Sequence, residues 1–315
     1  MDCLVLKNTK NLDREEWLEA RRYGLGGSDI GSICGLNKYK SPIAVYLDKV
    51  GELPSEEQQS EAAYWGTIIE DIIAKEFEVR TGKKVRRKNA ILQHPKYPFM
   101  LANLDRVVVG EKAILECKTA SAYLDSEWKS DKVPESYILQ CQHYMAVTGY
   151  EKVYIAALIG GNKFVYKEIL KDGELINYLI EIEKDFWKRV EDKNPPAMDG
   201  SEASSELLKK LYPGAVEGTE ILLPYEASEL IQKRNEVKVK IKELESEQSE
   251  CENKLKNMLQ SSEIGLIDNL KVTWKNVNAN KFDSKSFEKD KPDLYKKYLK
   301  ASNYRKFDVK EIGGK

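Results

Sequence analysis

Residues 104–118 read LDRVVVGEKAILECK, and this stretch decides the fold of the chain. Apolar runs flank Gly110-Glu111, a pattern that predicts two antiparallel strands joined by a two-residue loop. Counting back from that loop along both strands places Asp105 directly opposite Glu116. Directly opposed Cβ atoms in such a pair lie roughly 4.5–5.5 Å apart. The sequence therefore predicts two carboxylates that face each other across a hairpin.

Lys118 lies two residues beyond Glu116 and projects from the same face of the strand. Facing carboxylates destabilise a sheet unless a divalent cation lies between them. The alternative is a solvated hairpin in which Glu116 pairs with a lysine and Asp105 with Arg106. The apolar runs argue against it, because they indicate strands covered on both faces, where a carboxylate needs a strong partner. Two carboxylates and an amine suit metal-assisted phosphodiester hydrolysis.

The composition of the 315-residue chain excludes several other kinds of site. Its five cysteines form no Cys-X-X-Cys pair, which argues against a zinc ribbon or an iron–sulfur cluster. Its two histidines exclude most histidine-rich metal sites. The odd cysteine count and the lack of a signal-peptide pattern predict a reducing cytoplasm, in a bacterium or a phage-infected host cell. No apolar run approaches the roughly eighteen residues that a membrane span needs.

Helices and strands are predicted on both sides of the hairpin. Capping and periodicity predict helices that start at Asp13, at the Gly26–Asp29 loop, at Ser41-Pro42 and at Ser60. Strands are predicted near 84–92, 99–109, 113–118, 153–159 and 163–169, with helices at 134–148 and 172–191. This order predicts an α/β (α+β) core over residues 1–200, with a mixed sheet flanked by helices.

Two features of the predicted helices bear on the site. The helix at 60–81 has a predicted buried stripe made of Trp65, Ile68, Ile69, Ile72, Ile73 and Phe77. Glu70 lies beside this stripe. It is either a boundary residue that pairs locally, for example with Lys75, or a third carboxylate for the Asp105/Glu116 site. The Ser28 hydroxyl and nearby backbone amides are either an ordinary helix N-cap or a phosphate-binding loop.

Residues 205–315 are predicted to form a separate C-terminal domain beyond a polar linker at 194–205. Apolar residues recur every seven positions along a long amphipathic helix at 226–260, which gives it coiled-coil character. A small α/β element is predicted after it, with a hairpin around Asp268-Asn269, a helix capped by Asp283 and a last strand at 304–309.

An ordered set of residues resembles a known family. The chain resembles the YqaJ-type viral recombinase nucleases, the phage lambda-exonuclease branch of the PD-(D/E)XK superfamily, over residues 12 to about 190. The resemblance is carried by five segments in the family's order: Trp17 to Arg22-Tyr23-Gly24 and Gly27-Ser28-Asp29, then Trp65-Gly66 with Glu70, then Asp105, then Glu116-Cys117-Lys118, then Gln140-Cys141-Gln142-His143-Tyr144. The chain departs from the family motif at Leu104, where the nominal residue is proline.

The resemblance implies roles for individual residues. Asp105, Glu116 and the Cys117 backbone carbonyl would bind Mg²⁺, for which Mn²⁺ would substitute, and Glu70 would complete the metal shell. Lys118 would orient the attacking water and help to deprotonate it. Gln140 would support the active site at the scissile strand. Arg22 and Ser28 would bind the terminal 5′-phosphate, with Arg21 as the alternative arginine.

The resemblance also implies an activity and partners. The implied enzyme is a metal-dependent 5′-to-3′ exonuclease of double-stranded DNA ends, which leaves 3′ single-stranded overhangs in a phage or prophage recombination system. A single-strand annealing protein and a homo-trimer are the implied partners. Two alternatives remain: a structure-specific DNA endonuclease on the same core, and a catalytically inactive DNA-binding or scaffold protein.

Overall fold

The computed structural model describes residues 3–53 and 60–311 of the chain, which divides into two compact units, Met1–Tyr212 and Pro213–Lys315. The first unit contains, in chain order, β1 (Leu4–Asn8), α1 (Arg14–Arg22), β2 (Leu25–Gly26), α2 (Gly27–Ile33), α3 (Pro42–Lys49), α4 (Glu61–Thr81), β3 (Val85–Arg87), β4 (Ala90–Gln93), β5 (Met100–Asn103), β6 (Arg106–Val108), β7 (Ala113–Ala120), a 3₁₀ helix (Ala122–Trp128), α5 (Glu135–Thr148), β8 (Lys152–Ile159), β9 (Lys163–Leu170), α6 (Gly173–Glu191) and α7 (Glu202–Leu211).

A five-stranded mixed sheet forms the centre of the first unit. Its strand order is β3-β6-β7-β8-β9, in which β7 and β8 are parallel and the other neighbours antiparallel. Ile114 and Leu115 of β7 are both fully buried because helices cover both faces. Phe77 of α4 packs in the cluster with Leu115, and Met145 of α5 packs in the cluster with Ile114. The predicted mixed sheet flanked by helices is confirmed.

The register of the central hairpin is also confirmed. Arg106 pairs with Leu115 and Val107 with Ile114, so the next pair outward is Asp105 with Glu116. The loop is wider than the predicted two residues, since β6 ends at Val108 and β7 begins at Ala113. The Val109 backbone N–H points toward the other neighbouring strand and donates to the carbonyl of Lys84 (2.8 Å).

The strands predicted at 84–92 and 99–109 are wrong as single strands, because each is divided between two sheets. β4 and β5 belong to a second sheet, of order β1-β4-β5-β2, whereas β3 and β6 belong to the central sheet. The interruptions fall at Lys88-Asn89 and Leu104-Asp105. At the second interruption the Asp105 carboxylate accepts a hydrogen bond from the Cys117 backbone N–H (2.8 Å), in place of a ladder bond. β1 and β2 were not predicted.

Helix α4 begins and ends as its caps predict. The Ser60 hydroxyl accepts a hydrogen bond from the Ala63 N–H, and Gly82 follows the helix at a positive φ of 71°. The predicted buried stripe is too wide, however. Ile73 and Phe77 are buried, but Trp65, Ile68 and Ile72 are exposed. Those three positions lie on the side of the helix turned away from the sheet, so the sheet covers a narrower arc than the apolar pattern suggests.

The first unit extends through helix α7, which packs on it. Leu207 of α7 is buried in a cluster with Ile43, Val45 and Phe186. The second unit contains α8 (Glu226–Leu259), β10 (Ile264–Ile267), β11 (Leu270–Thr273), α9 (Ser284–Asp290) and α10 (Pro292–Tyr298).

The predicted long helix, hairpin and Asp283 cap of the second unit are confirmed. The strand predicted at 304–309 is wrong, since residues 299–311 form neither helix nor strand. Among the described residues β10 and β11 pair only with each other, so this segment has no strand there to complete a ladder. In the parts of the chain that the structure describes, no helix has the length and apolar character needed to cross a bilayer.

Candidate active site

The two facing carboxylates lie together at the end of the central hairpin. The Asp105 carboxylate accepts the Cys117 N–H (2.8 Å). One oxygen of Glu116, Oε1, accepts hydrogen bonds from Lys118 Nζ and from Gln140 Nε2, both at 2.6 Å. Glu116 is 2% exposed, so its charge is almost completely removed from water. The structure therefore brings Asp105, Glu116, Lys118 and Gln140 into one cluster.

The electrostatics of this cluster call for another positive charge. Burial, followed by the charge of Glu116, raises the pKa of Asp105 to about 7. Burial also raises the pKa of Glu116, although the Lys118 ammonium acts in the opposite direction. Glu116 Oε2 is buried and accepts no hydrogen bond within the described residues. A buried carboxylate oxygen without a donor is costly. A hard divalent cation, which prefers carboxylate ligands, would supply the positive charge that Glu116 Oε2 lacks.

Glu70 lies near the carboxylates but is held by Arg106. The guanidinium of Arg106 forms ion pairs with Glu70 and Asp71, and it also donates to the Asp105 carbonyl (2.6 Å). Burial, and then the charge of Asp105, raises the pKa of Glu70. Across residues 3–53 and 60–311, no three His, Cys, Asp or Glu side chains form a ready-made metal cluster. Glu70 would join a metal shell only by exchanging its contact with Arg106 for the ion.

An open cleft of about 260 Å³ gives access to these groups. Its lining includes the cleft-facing side of α4 and the end of β7, with Gly66, Thr67, Glu70, Asp105, Glu116 and Lys118. Cys117 also lines the cleft, between the two functional positions of β7. Burial raises the pKa of the Cys117 thiol, and the charge of Asp105 adds to that effect. A thiol held protonated is a poor nucleophile, so the contribution left to Cys117 is that of its backbone.

Helix α5 supports the cluster from behind. Gln140 Nε2 donates to Tyr144 Oη (3.0 Å) as well as to Glu116, so one amide connects the carboxylate to the helix one turn further on. Lys118 Nζ lies 4.9 Å from the centre of the Tyr137 ring. The ring of Tyr144 occupies the space where a Cβ at Gly27 would lie, only 2.6 Å from its nearest ring atom. Glycine at 27 therefore lets α2 approach α5 closely.

The structure brings Arg21, and not Arg22, to Ser28. Arg21 Nη2 donates to Ser28 Oγ (2.9 Å), and its guanidinium lies 4.6 Å from the centre of the Trp17 ring. Arg22 points elsewhere, with its Nε 4.0 Å from Asp48. Of the two arginines that the sequence leaves as candidates for an end-binding role, Arg21 is the one placed beside the Ser28 hydroxyl.

A buried charge network below this pair was not predicted. Asp29 accepts the Gly26 N–H (3.1 Å) and forms ion pairs with Lys49 (2.8 Å) and Lys40 (3.4 Å). Burial acts to raise the pKa of Asp29, but Lys49, Lys40 and Arg21 together hold it well below its usual value. The two lysines come from the loop before α3 and from its end. No local sequence signal pairs them with Asp29.

Comparison with known proteins gives a consistent result. Residues 16–151 match the family described as the YqaJ-like viral recombinase domain. The uncharacterized protein YqaJ of Bacillus subtilis (strain 168) is 50% identical over 311 residues, which cover 98% of each chain.

Solved structures are more distantly similar. An alkaline exonuclease from Laribacter hongkongensis is 20% identical, with a TM-score of 0.49 over 63% of this chain and 100% of that one. A phage related exonuclease from Haemophilus somnus 129PT is 13% identical, with a TM-score of 0.41 over 54% of this chain and 94% of that one.

Proposed function

Since this chain belongs to the family of YqaJ-like viral recombinase proteins, we propose that it is a metal-dependent exonuclease that degrades double-stranded DNA from 5′ ends. The observation that supports this most directly is the convergence of Asp105, Glu116 and Lys118, with an unpartnered Glu116 oxygen, in one open cleft. Carboxylates that lack a counter-charge beside an ammonium are suited to a metal ion and a phosphodiester.

The acidic residues and Gln140 have different roles in the proposed mechanism. Asp105 and Glu116, with the Cys117 carbonyl, would hold Mg²⁺ or Mn²⁺, and Glu70 would join them after leaving Arg106. A bound divalent ion supplies a water molecule of lowered pKa and neutralises charge on the phosphoryl group. Gln140 fixes the orientation of the Glu116 carboxylate through its 2.6 Å hydrogen bond.

Lys118 is an ammonium in this structure. Burial acts to lower its pKa, but the charges of Glu116 and Asp105 outweigh burial and raise the pKa. An ammonium donates hydrogen bonds and cannot accept a proton. Lys118 is therefore suited to orient the attacking water and to stabilise negative charge on the phosphate. The deprotonating role that the family resemblance implies requires its pKa to fall once the carboxylates are neutralised.

The Arg21–Ser28 pair supports the proposed 5′ polarity. A guanidinium and a hydroxyl 2.9 Å apart offer several donors to one phosphate, and charge-assisted bonds of this kind are the strong ones. Binding of a terminal 5′-phosphate there would place the end of the strand beside α2. Successive cleavage would leave a 3′ single-stranded overhang, in a phage or prophage recombination system. A single-strand annealing protein and a homo-trimer are the further partners proposed on the family resemblance.

Digestion of end-labelled linear duplex tests the proposal. With Mg²⁺, we expect early release of a 5′ label, retention of a 3′ label on a long single strand, and an intact covalently closed circle. Chelation by EDTA should stop the release, and Mn²⁺ should restore it. Cleavage of the closed circle would instead support an endonuclease. Absence of any cleavage, with binding of duplex retained, would favour an inactive scaffold protein.

A further inference from the structure

Helix α8 exposes an apolar seam that Arg234 and Gln248 interrupt. The helix has 34 residues and is therefore about 51 Å long. The seam has apolar or cysteine side chains at Leu230, Val237, Ile241, Leu244, Cys251, Leu255 and Met258, all exposed. Leu244 is 62% and Met258 76% exposed, although the spacing is that of a coiled-coil seam. Most of the stability of a protein helix comes from packing of its apolar face, and within the described residues these seam side chains are left largely uncovered.

The charges along α8 fall into two blocks of equal length. Residues 233–242 contain five Lys or Arg and one Glu, whereas residues 243–252 contain five Glu and neither Lys nor Arg. The boundary between the blocks, at Lys242-Glu243, lies between Ile241 and Leu244, in the middle of the seam. A helix with this pattern is complementary to itself only when a second copy runs in the opposite direction.

We propose that α8 pairs with α8 of a second copy of this chain in an antiparallel coiled coil whose twofold axis passes beside Lys242-Glu243. This inference does not depend on the proposed nuclease activity. In this register Ile241 faces the partner's Leu244, and Leu255 faces the partner's Leu230. The apolar layers at the centre and at the two ends of the seam are then buried, and the layers between them pair Val237 with the partner's Gln248 and Cys251 with the partner's Arg234.

The flanking charges agree with the same register. Lys240 lies opposite the partner's Glu247, and Lys238 lies opposite the partner's Glu245. Because the arrangement is twofold symmetric, each attraction occurs twice. One repulsive contact, between Lys233 and the partner's Lys254 near the exposed ends of the seam, also occurs twice, against four attractive ones. The balance of charge therefore favours this pairing.

A parallel pair is disfavoured by the same residues. It would place basic block on basic block and acidic on acidic, with Lys233 facing the partner's Lys238 and Glu247 facing the partner's Glu252, and only Lys240 facing an opposite charge, the partner's Glu245. Parallel helices also align their dipoles unfavourably. The orientation can be tested directly, because a parallel pair would bring Cys251 against the partner's Cys251, whereas the antiparallel pair keeps them about 25 Å apart along the axis.

The mass of the full chain in solution tests whether the seam is an interface. We expect Leu244→Asp to halve the mass of the native assembly, measured by sedimentation equilibrium at micromolar concentration. Val239→Asp is the matched control, since Val239 is exposed on the opposite side of α8, and should leave the mass unchanged. A native chain that is monomeric at that concentration, or a mass unaffected by Leu244→Asp, would overturn the proposal. Either result would leave the seam to a different protein.

Disulfide trapping in the full chain tests the orientation. In a Cys251→Ser background, a mixture of Leu230→Cys and Leu255→Cys chains should give a mixed covalent dimer on mild oxidation, and neither variant should dimerise alone. A parallel pair would give the reverse result. Efficient dimerisation of the native chain through Cys251 would show a parallel pair and refute the register.

Charge reversal gives an independent measurement. Lys240→Glu should weaken association several-fold, and adding Glu247→Lys should restore it. Failure of the second change to restore association would contradict the proposed contact.

Discussion

At the scale of single residues, Lys118 carries the most direct prediction. Its Nζ lies 2.6 Å from Glu116 Oε1, inside the cleft. We expect Lys118→Ala to lower the cleavage rate roughly 10²- to 10³-fold, the usual contribution of one donor directed at developing negative charge. Affinity for duplex DNA should change little, because one cation among many phosphate contacts is lost. Cleavage of labelled duplex and a binding titration measure the two effects.

A matched control for Lys118 is Lys171→Ala. Lys171 forms an ion pair with Glu151 at the opposite end of the sheet (3.2 Å), so its removal should affect neither quantity. Full cleavage activity in Lys118→Ala would remove Lys118 from the mechanism.

Arg21 and Arg22 form a natural pair of test and control. Arg21 donates to Ser28, whereas Arg22 lies beside Asp48. We expect Arg21→Ala to reduce cleavage of 5′-phosphorylated ends about 10- to 100-fold more than cleavage of 5′-hydroxyl ends, since a hydrogen bond to a charged group contributes about 1.5–3 kcal/mol. Arg22→Ala should change the cleavage rates of 5′-phosphorylated and 5′-hydroxyl ends by the same factor. The opposite pattern would assign the end-binding role to Arg22.

The local sequence predicts most of the site residues, but it does not predict the basic side chains that form ion pairs with them. Strand alternation placed Asp105, Glu116 and Lys118 together, because all three follow from the register of one hairpin. The Arg106–Glu70 ion pair joins residues 36 positions apart, and the pairing of Lys49 with Asp29 depends on how α3 packs. Such contacts are set by tertiary packing, for which a single sequence has no periodic signal.

At the scale of secondary-structure elements, Gly27 controls the contact between α2 and α5. A Cβ at this position would lie 2.6 Å from the Tyr144 ring. We expect Gly27→Ala to cost about 1–3 kcal/mol of unfolding free energy, as overpacking does. It should also reduce cleavage, because the displaced ring supports Gln140. Chemical denaturation and the cleavage assay report the two effects.

Gly173→Ala is the control for that substitution. A Cβ at Gly173, in the first turn of α6, meets no atom within 4 Å, so the change should be close to neutral. Equal effects of the two substitutions would show that space at Gly27 is unimportant.

A buried ion pair joins α5, α6 and β5 and should make stability depend on pH. His143 Nδ1 lies 2.9 Å from Glu183 Oε1, and Nε2 lies 2.8 Å from the Leu101 carbonyl. Both nitrogens face acceptors, and an imidazolium, which donates from both, satisfies both. Burial acts to lower the pKa of His143, but Glu183, the Leu101 carbonyl and Asp29 outweigh it and raise the pKa.

A folded-state pKa above the unfolded value of about 6.5 means that this stabilisation is complete below pH 6.5 and is lost as pH rises through the folded-state pKa. We expect the stability difference between the native chain and the double variant His143→Gln, Glu183→Gln to shrink as the pH rises above about 6.5, the unfolded-state pKa of histidine. Urea denaturation at each pH measures it. Parallel stability curves over that range would contradict an imidazolium at His143.

Two strand predictions failed because each predicted strand is divided between two sheets. Periodicity gave β-structure across 84–92 and 99–109 correctly but contains no signal for a change of sheet. The breaks at Asn89 and Asp105 are polar residues that could have marked it. In α4, Trp65 and Ile72 match the buried period but lie beyond the sheet, so their exposure depends on the width of the surface that the helix covers.

At the scale of the whole chain, the boundary of the first unit can be tested by truncation. Helix α7 buries Leu207 against Ile43 and Phe186. A chain ending at Tyr212 should fold and retain the cleft, whereas a chain ending at Gly200 loses α7 and should be destabilised by at least the roughly 2–5 kcal/mol of one buried leucine. Thermal unfolding of the two truncations makes the comparison. Equal midpoints would show that α7 adds nothing to the unit.

The close contact of Gly27 with Tyr144 has a consequence for how far each cut lies from the strand end. Ser28 adjoins Gly27, and Tyr144 is tied through Gln140 to Glu116, so the end-binding hydroxyl and the cleaving carboxylate belong to one stiff frame. Under the proposed function these contacts set the distance between the bound 5′ end and the phosphodiester bond that is cleaved. Because protein packing fixes this distance, the number of nucleotides released by each cut should be the same for every base. Only the rate of digestion should vary with how readily the duplex melts.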